Sequence, residues 1–136
     1  MRQIKFRGKS IGTGAWLFGN LFKFGIHPPS NVPCICVCVP KWKDAVDIYN
    51  VHENTVGQFT GVCDMDGKEI YEGDVLVIEG IKTDRYSKVW WNDERFTFYV
   101  GHAPVSAYIR REDNRLQEFH IAGNIYDNPE LKEKLV

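Results

Sequence analysis

The stretch TVGQFTGVCDMDGKEIYEGDV, Thr55 to Val75, decides the fold. Gln58 to Val62 reads as a strand. Asp64-Met65-Asp66-Gly67 reads as a turn, because an Asp carboxylate can bond its own backbone and Gly supplies a positive φ. Ile70-Tyr71 and Val75 to Ile78 are apolar runs split by Glu72-Gly73-Asp74. A Gly-Asp pair set immediately before an apolar strand recurs in small SH3-like barrels. Gly73 can take the backbone shape of a sharp bend. The Asp74 carboxylate can accept turn N–H groups that would otherwise lack partners.

Toward the C-terminus, residues 79–85 form a polar loop. Ser87 to Trp91 and Phe96 to Val100 read as a hairpin around Asn92 to Arg95. Val105 to Ile109 suggests a further strand, and Arg110 to Arg115 a charged loop. The firmest helix signal lies at the end. Asn128 suits an N-cap, Pro129 the first helical position and Glu130 the positive end of the dipole. Leu131 and Leu135 give that short helix one apolar stripe.

Toward the N-terminus, Ile4 to Arg7 reads as a half-buried strand. Gly19-Asn20, between the aromatic runs of Trp16 to Phe24, predicts a two-residue hairpin turn. Pro28 and Pro29 mark a loop. Cys34 to Val39 is strand-like. Lys43 to Tyr49 suits one helical turn, or Asp47 to Val51 a strand. Together these segments predict about seven to nine short strands, hence a barrel or sandwich.

The chain has 136 residues, enough for one domain with a core of its own. Aromatic residues reach 13%, which suits pleated, half-buried surfaces. The net charge is −1, so general neutralisation of a nucleic-acid backbone is disfavoured and only a local basic patch would serve. No apolar run approaches the ~18 residues of a membrane-spanning helix, and the N-terminus shows no signal-peptide block. The expectation is a cytoplasmic protein whose four cysteines, Cys34, Cys36, Cys38 and Cys63, are thiols.

The string from Thr55 to Val75 closely resembles the central signature of the YopX family, small proteins typical of bacteriophages and prophages. The opening RQIKFRG and the close IAGNIYDNPELKEKL, Ile121 to Leu135, resemble that family as well. Thr55, Gly57, Gln58, Thr60, Gly61, Asp64, Gly67, Tyr71, Glu72, Gly73, Asp74, Gly123 and Asn124 match its motif positions. The resemblance implies a mainly β fold with an SH3-like barrel in the C-terminal part (55–136), a smaller α+β N-terminal part (1–54) and a short C-terminal helix. It carries no catalytic role, and it places the protein in the cytoplasm of a bacterial host. CICVCV and the stretch Ile81 to Arg115 depart from the motifs, so individual specificity is expected there.

Several constellations invite chemistry. Asp64, Asp66, Glu69, Glu72 and Asp74 include pairs that a hydrolase would use as acid and base, but turn and cap duties account for the three Asp residues. Asp64-Met65-Asp66-Gly67 begins like a calcium loop yet lacks its remaining ligands. Same-face residues such as Cys34, Cys36 and Cys38 stand about 6.6 Å apart on a flat strand. Thiolates sharing a zinc lie within about 4 Å. A metal site would therefore need a kink, with Cys63 and His27 brought in by the fold. Cys63 with His120 is a formal thiol–imidazole pair without an activating context. No cofactor is expected.

Two binding readings remain. Lys5, Arg7 and Lys9 are expected to share the solvent face of the first strand, and Lys82, Arg85 and Lys88 lie beside Tyr86, Trp90 and Trp91. A base could stack on whichever Trp faces outward. The same composition also makes protein hot spots. The favoured expectation is a non-catalytic module that binds a phage or host protein or its own copies. The alternative is a nucleic-acid-binding barrel using Lys82 to Trp91.

Overall fold

A computed structural model describes residues 3–23, 33–37, 47–110 and 112–136. Among these residues the chain is mainly β, with short 3-10 segments and no α-helix. It divides into two compact units, Met1–Gln58 and Phe59–Val136.

In the first unit, β1 (Phe6–Lys9), β2 (Trp16–Lys23), β3 (Pro33–Val37) and β4 (Asp47–Asn50) pair antiparallel in chain order. The opening residues of β5 (Gly57–Cys63) pair with the free side of β1, Arg7 facing Gly57 and Phe6 facing Gln58. The expected turn at Gly19-Asn20 is absent. Gly19 faces Phe6 on one side and Asn20 faces Cys36 on the other, inside one unbroken strand. Both flanks of β2 carry ladders, and that pairing overrides the local turn preference of the Gly-Asn dipeptide.

The sheet curls until its last strand meets the end of its first. Ser10 bridges Val51, Ile11 N–H bonds Asn50 C=O at 3.0 Å and His52 N–H bonds Lys9 C=O at 2.8 Å. Val51 is fully buried, and a Cβ on Gly8 would lie 2.9 Å from the Val51 Cβ. Arg7, expected on a solvated face, is buried with its guanidinium 4.6 Å from the Trp16 ring centre. A planar cation over an indole accounts for that placement. The readings at 24–32 and 38–46, including His27, Cys38 and the start of the helical turn at Lys43, lie outside the described residues. Asp47–Asn50 is strand.

In the second unit, the rest of β5 pairs with β6 (Glu69–Tyr71). β7 (Asp74–Ile78), β8 (Arg85–Asn92), β9 (Thr97–Val100) and β10 (Ala103–Pro104) follow as an antiparallel meander. β11 (Ile109–Arg110) and β12 (Arg115–Leu116) form a small hairpin, whose Arg115 lies parallel to β5 at Cys63. β13 (His120–Asn124) returns beside β7. The expected strand at Val105 to Ile109 is instead a 3-10 turn, Val105–Ala107, ahead of β11. Val62, Ile70, Leu76, Val89, Val100, Leu116 and Phe119 make the core.

The five-stranded sheet runs β10-β9-β8-β7-β13, and no ladder joins its ends among the described residues. An open sheet therefore stands where a closed barrel was expected. Its edges explain why. β10 is short and ends in Pro104, which has no N–H to offer. On β13, Ile121 N–H bonds the Asp64 carboxylate at 3.1 Å and Asn124 N–H bonds the Asn128 side-chain oxygen at 3.2 Å. Side chains thus occupy amides that another strand would need.

The C-terminal helix is a 3-10 segment, Pro129–Lys134, packed over β8 and β13 with Leu131 buried. Asn128 stands at its N-cap position without a side-chain cap bond. Its oxygen serves Asn124 instead.

Candidate functional site

The motif residues are organised around backbone amides. Asp64 is 1% exposed, and its Oδ1 accepts N–H bonds from Asp66 and Lys68, both at 2.9 Å. Its Oδ2 accepts Ile121 N–H, and Met65 N–H bonds Phe119 C=O at 3.0 Å. The turn is thereby fastened to β13. Asp74 Oδ2 accepts Tyr71 N–H at 2.8 Å across the bend in which Gly73 holds φ +88°. The Tyr71 hydroxyl donates to Glu69 at 3.1 Å, and its ring packs on Phe59. Asn124 accepts N–H bonds from Tyr126 and Asp127 at 3.0 and 2.8 Å. Thr60 donates to Ile70 C=O at 2.8 Å, and Thr55 to His52 C=O at 2.6 Å. Acids close together in sequence therefore have separate structural partners.

His120 is the titratable group that these contacts tune. Its Nδ1 lies 2.7 Å from Asp66 Oδ2 on the surface. That hydrogen bond holds the imidazole pKa above its ordinary value, with Glu79 and Asp64 adding negative potential. The ring that the sequence set beside Cys63 is thus joined to a carboxylate. Cys63 forms no disulfide. Among the described residues, no three His, Cys, Asp or Glu side chains gather as metal ligands.

The basic and aromatic residues expected to act together separate across β8. Alternation sends Tyr86, Lys88 and Trp90 to one face, and Arg85 and Trp91 to the other. Arg85 and Trp91 stand about 20 Å apart along the strand. Lys82 lies on the exposed loop before it. Trp90 donates its indole N–H to Gly101 C=O at 2.8 Å and packs on Tyr99. Trp91, 39% exposed, is the outward ring, set edge-on to Phe98.

Phe96 was missed as a surface residue. The sequence reading begins the second hairpin strand at Phe96, whereas the strand begins at Thr97. Phe96 ends a tight turn in which Asn92 Oδ1 accepts N–H bonds from Glu94 and Arg95, both at 3.0 Å. Its backbone is left-handed, φ 53°, and its side chain is 80% exposed. Asn92 ahead of three polar residues was the available sequence signal for that turn.

At the opposite end of the same hairpin, Lys88, Trp90, Gly101, His102, Leu135 and Val136 line an open cavity of about 250 Å³. Val136 N–H bonds Tyr86 C=O at 3.1 Å and fixes one wall.

The YopX family, described as YopX protein, matches residues 5–133. The chain belongs to the YopX family. A solved structure, that of protein EF1440 from Enterococcus faecalis, is similar to this YopX chain at 23% identity, with a TM-score of 0.57. The similarity covers 96% of this chain and 99% of that one, and it speaks for the fold. Comparison with curated proteins gives no match. Among the described residues of this YopX protein, no helix is long and apolar enough to cross a membrane.

Proposed function

We propose that this YopX protein is a non-catalytic binding module, a phage or prophage accessory in the bacterial cytoplasm, which contacts protein and associates with its own copies. The observation that carries this reading is Phe96, a large apolar side chain 80% exposed at the end of a hydrogen-bonded hairpin turn. A non-glycine residue in the left-handed region gives up about 1–2 kcal/mol. Holding Phe there, in water, makes sense where the ring is used in contact. Trp91, exposed on the same hairpin, adds a second apolar element. The family-motif carboxylates Asp64 and Asp74 serve backbone N–H groups, which supports a structural role for them.

Light scattering across a range of concentrations tests the reading, with a mobility-shift assay on DNA and RNA at low salt as its control. The expected result is a mass that climbs with concentration and no shift. A constant monomer mass together with a shift that vanishes as salt is raised would overturn it in favour of the nucleic-acid reading, because counterion release sets that salt slope.

A further inference from the structure

We infer that the sheet face carrying Phe18, Phe22 and Ile48 is a contact surface for an acidic protein segment that brings aromatic or aliphatic side chains of its own. It lies in the first unit, whereas Phe96 belongs to the second.

The register puts these side chains on one face. Trp16, Phe18, Asn20 and Phe22 alternate onto the same side of β2. Arg7 stands opposite Phe18 and Lys9 opposite Trp16, so both cations share that side. Across β3, Asn20 lies in the row of Cys36 and Ile48, which brings Ile48 to it as well. Phe18, Phe22 and Ile48 are 47%, 43% and 48% exposed. Phe18 and Phe22 keep that exposure alongside the contacts they make within the chain. Single exposed apolar residues are ordinary on a protein surface, but several on one face beside charged groups mark a contact.

Charge selects the partner. β1 and β2 contain three Lys or Arg and no Asp or Glu. The chain's net charge of −1 hides this, because residues 1–58 hold seven Lys and Arg against three Asp and Glu. Trp16 gathers two of the cations. The Arg7 guanidinium lies 4.6 Å from its ring centre and Lys9 Nζ 5.5 Å. Carboxylates arriving beside the apolar side chains meet a positive surface.

The same arrangement disfavours a nucleic acid. Binding a single strand takes open ring faces for bases and exposed cations for phosphates. Trp16, the largest ring on this face, is already faced by two cations, and Arg7 is buried.

The test is fluorescence anisotropy on the full chain with three labelled probes: a random copolymer of glutamate and tyrosine, polyglutamate, and a thymidine oligonucleotide. The copolymer is expected to bind, polyglutamate to bind at least about tenfold more weakly for want of rings, and the oligonucleotide not to bind. Changing Phe18→Thr and Phe22→Thr together keeps strand-forming residues and is expected to weaken copolymer binding at least about tenfold. Ile48→Thr, a single change on another strand, is expected to weaken it about threefold. Lys9→Gln should flatten its dependence on salt. Phe96→Asn should bind the copolymer as the wild type does. Failure of the copolymer to bind overturns the proposal, as does equal binding of polyglutamate or a preference for the oligonucleotide. Copolymer binding lost in Phe96→Asn places the contact at the hairpin tip and overturns it too. If the Phe18 and Phe22 changes abolish self-association in light scattering, a second copy covers this face, and the acidic partner is overturned while the self-association stands.

Discussion

Asp64 accepts the backbone N–H of Ile121 at 3.1 Å, across 57 positions of sequence. The same carboxylate also closes its own turn through Asp66 and Lys68. One buried side chain thus shapes a loop, fastens it to β13 and occupies an amide of an edge strand. Asp64→Ala leaves three donors to find other partners, with Ile121 the least able to do so. A buried polar group left without a partner costs about 1–3 kcal/mol. The expected loss is about 3 kcal/mol or more in urea unfolding. Asp64→Asn, which places an amide N–H₂ or a single oxygen where two acceptors stood, is expected to lose about half as much.

Above that knot, His120 gives the fold a pH dependence of definite sign. Its bond to Asp66 raises the folded pKa above the ordinary 6.5. The folded state therefore holds its proton more tightly than the unfolded chain does. The stabilisation is complete below about pH 6.5 and is lost as pH rises through the raised folded value. Urea midpoints measured from pH 5 to pH 9 should fall over that window in the wild type, and His120→Gln should remove that component. An NMR titration of the His120 ring gives the folded value directly. The pair is exposed, so added salt should diminish the effect.

The motif from Thr55 to Val75 was legible because it is a sequence of turn chemistry. Asp64 and Gly67 form a turn, and Gly73 and Asp74 a bend, with local partners that local reasoning anticipates. Errors arose where distant strands decide. Gly19-Asn20 has the composition of a turn but lies between two ladders, and only the positions of β1 and β3 reveal that. Arg7 reads as a solvent cation until Trp16 arrives across the β1–β2 pair. Phe96 continues a perfect alternation with Phe98 and Val100, yet the Asn92 side chain claims the two amides that tighten the turn and begins the strand one residue later. The cavity is less legible still, since its walls come from β8, the Gly101-His102 turn and the chain's last residues.

Gly73 combines a conformational and a steric demand. Its φ is +88°, and an added Cβ would lie 2.8 Å from a ring carbon of Tyr126. Its N–H bonds Val89 C=O at 3.0 Å, and its C=O accepts Ile125 N–H at 2.9 Å. Those bonds restrict any backbone shift that would relieve the clash. Gly73→Ala is expected to lose about 2–5 kcal/mol, combining about 1–2 kcal/mol of left-handed strain with about 1–3 kcal/mol of overpacking. Thermal unfolding checks this. The double change with Tyr126→Ala should recover part of the steric share, after allowance for that change alone, and none of the strain.

Thr55 performs in the first unit a task like that of Asp64 in the second. It is buried, donates to His52 C=O at 2.6 Å and accepts Lys9 N–H at 2.9 Å across 46 positions. Thr55→Val keeps the shape and removes both bonds. The expected loss is about 2 kcal/mol, the desolvation left by a buried donor without a partner. Thr55→Ser, which retains the hydroxyl, should lose about 1 kcal/mol through the missing methyl group. Hydrogen exchange at the Lys9 amide should accelerate in the first variant and stay slow in the second.

Phe96 brings stability and association into opposition. Its left-handed backbone lies in a turn already built by Asn92, so the strain is a property of the residue and not of the loop. Asn, whose short polar side chain is tolerated in that region, relieves it. Its exposed ring contributes little to the core of its own copy. Phe96→Asn is therefore expected to raise the unfolding free energy by about 1 kcal/mol while weakening self-association. Asn92→Ala is expected to do the reverse to the monomer, loosening the tip and lowering stability by about 1 kcal/mol through two lost bonds. It should weaken association as well, because a loosened Phe96 tip must be ordered on contact. Urea unfolding at a concentration where every variant is monomeric separates the stability effects from the assembly. A Phe96→Asn protein less stable than the wild type would show that the ring packs on its own copy, and that the tip is not held for a partner.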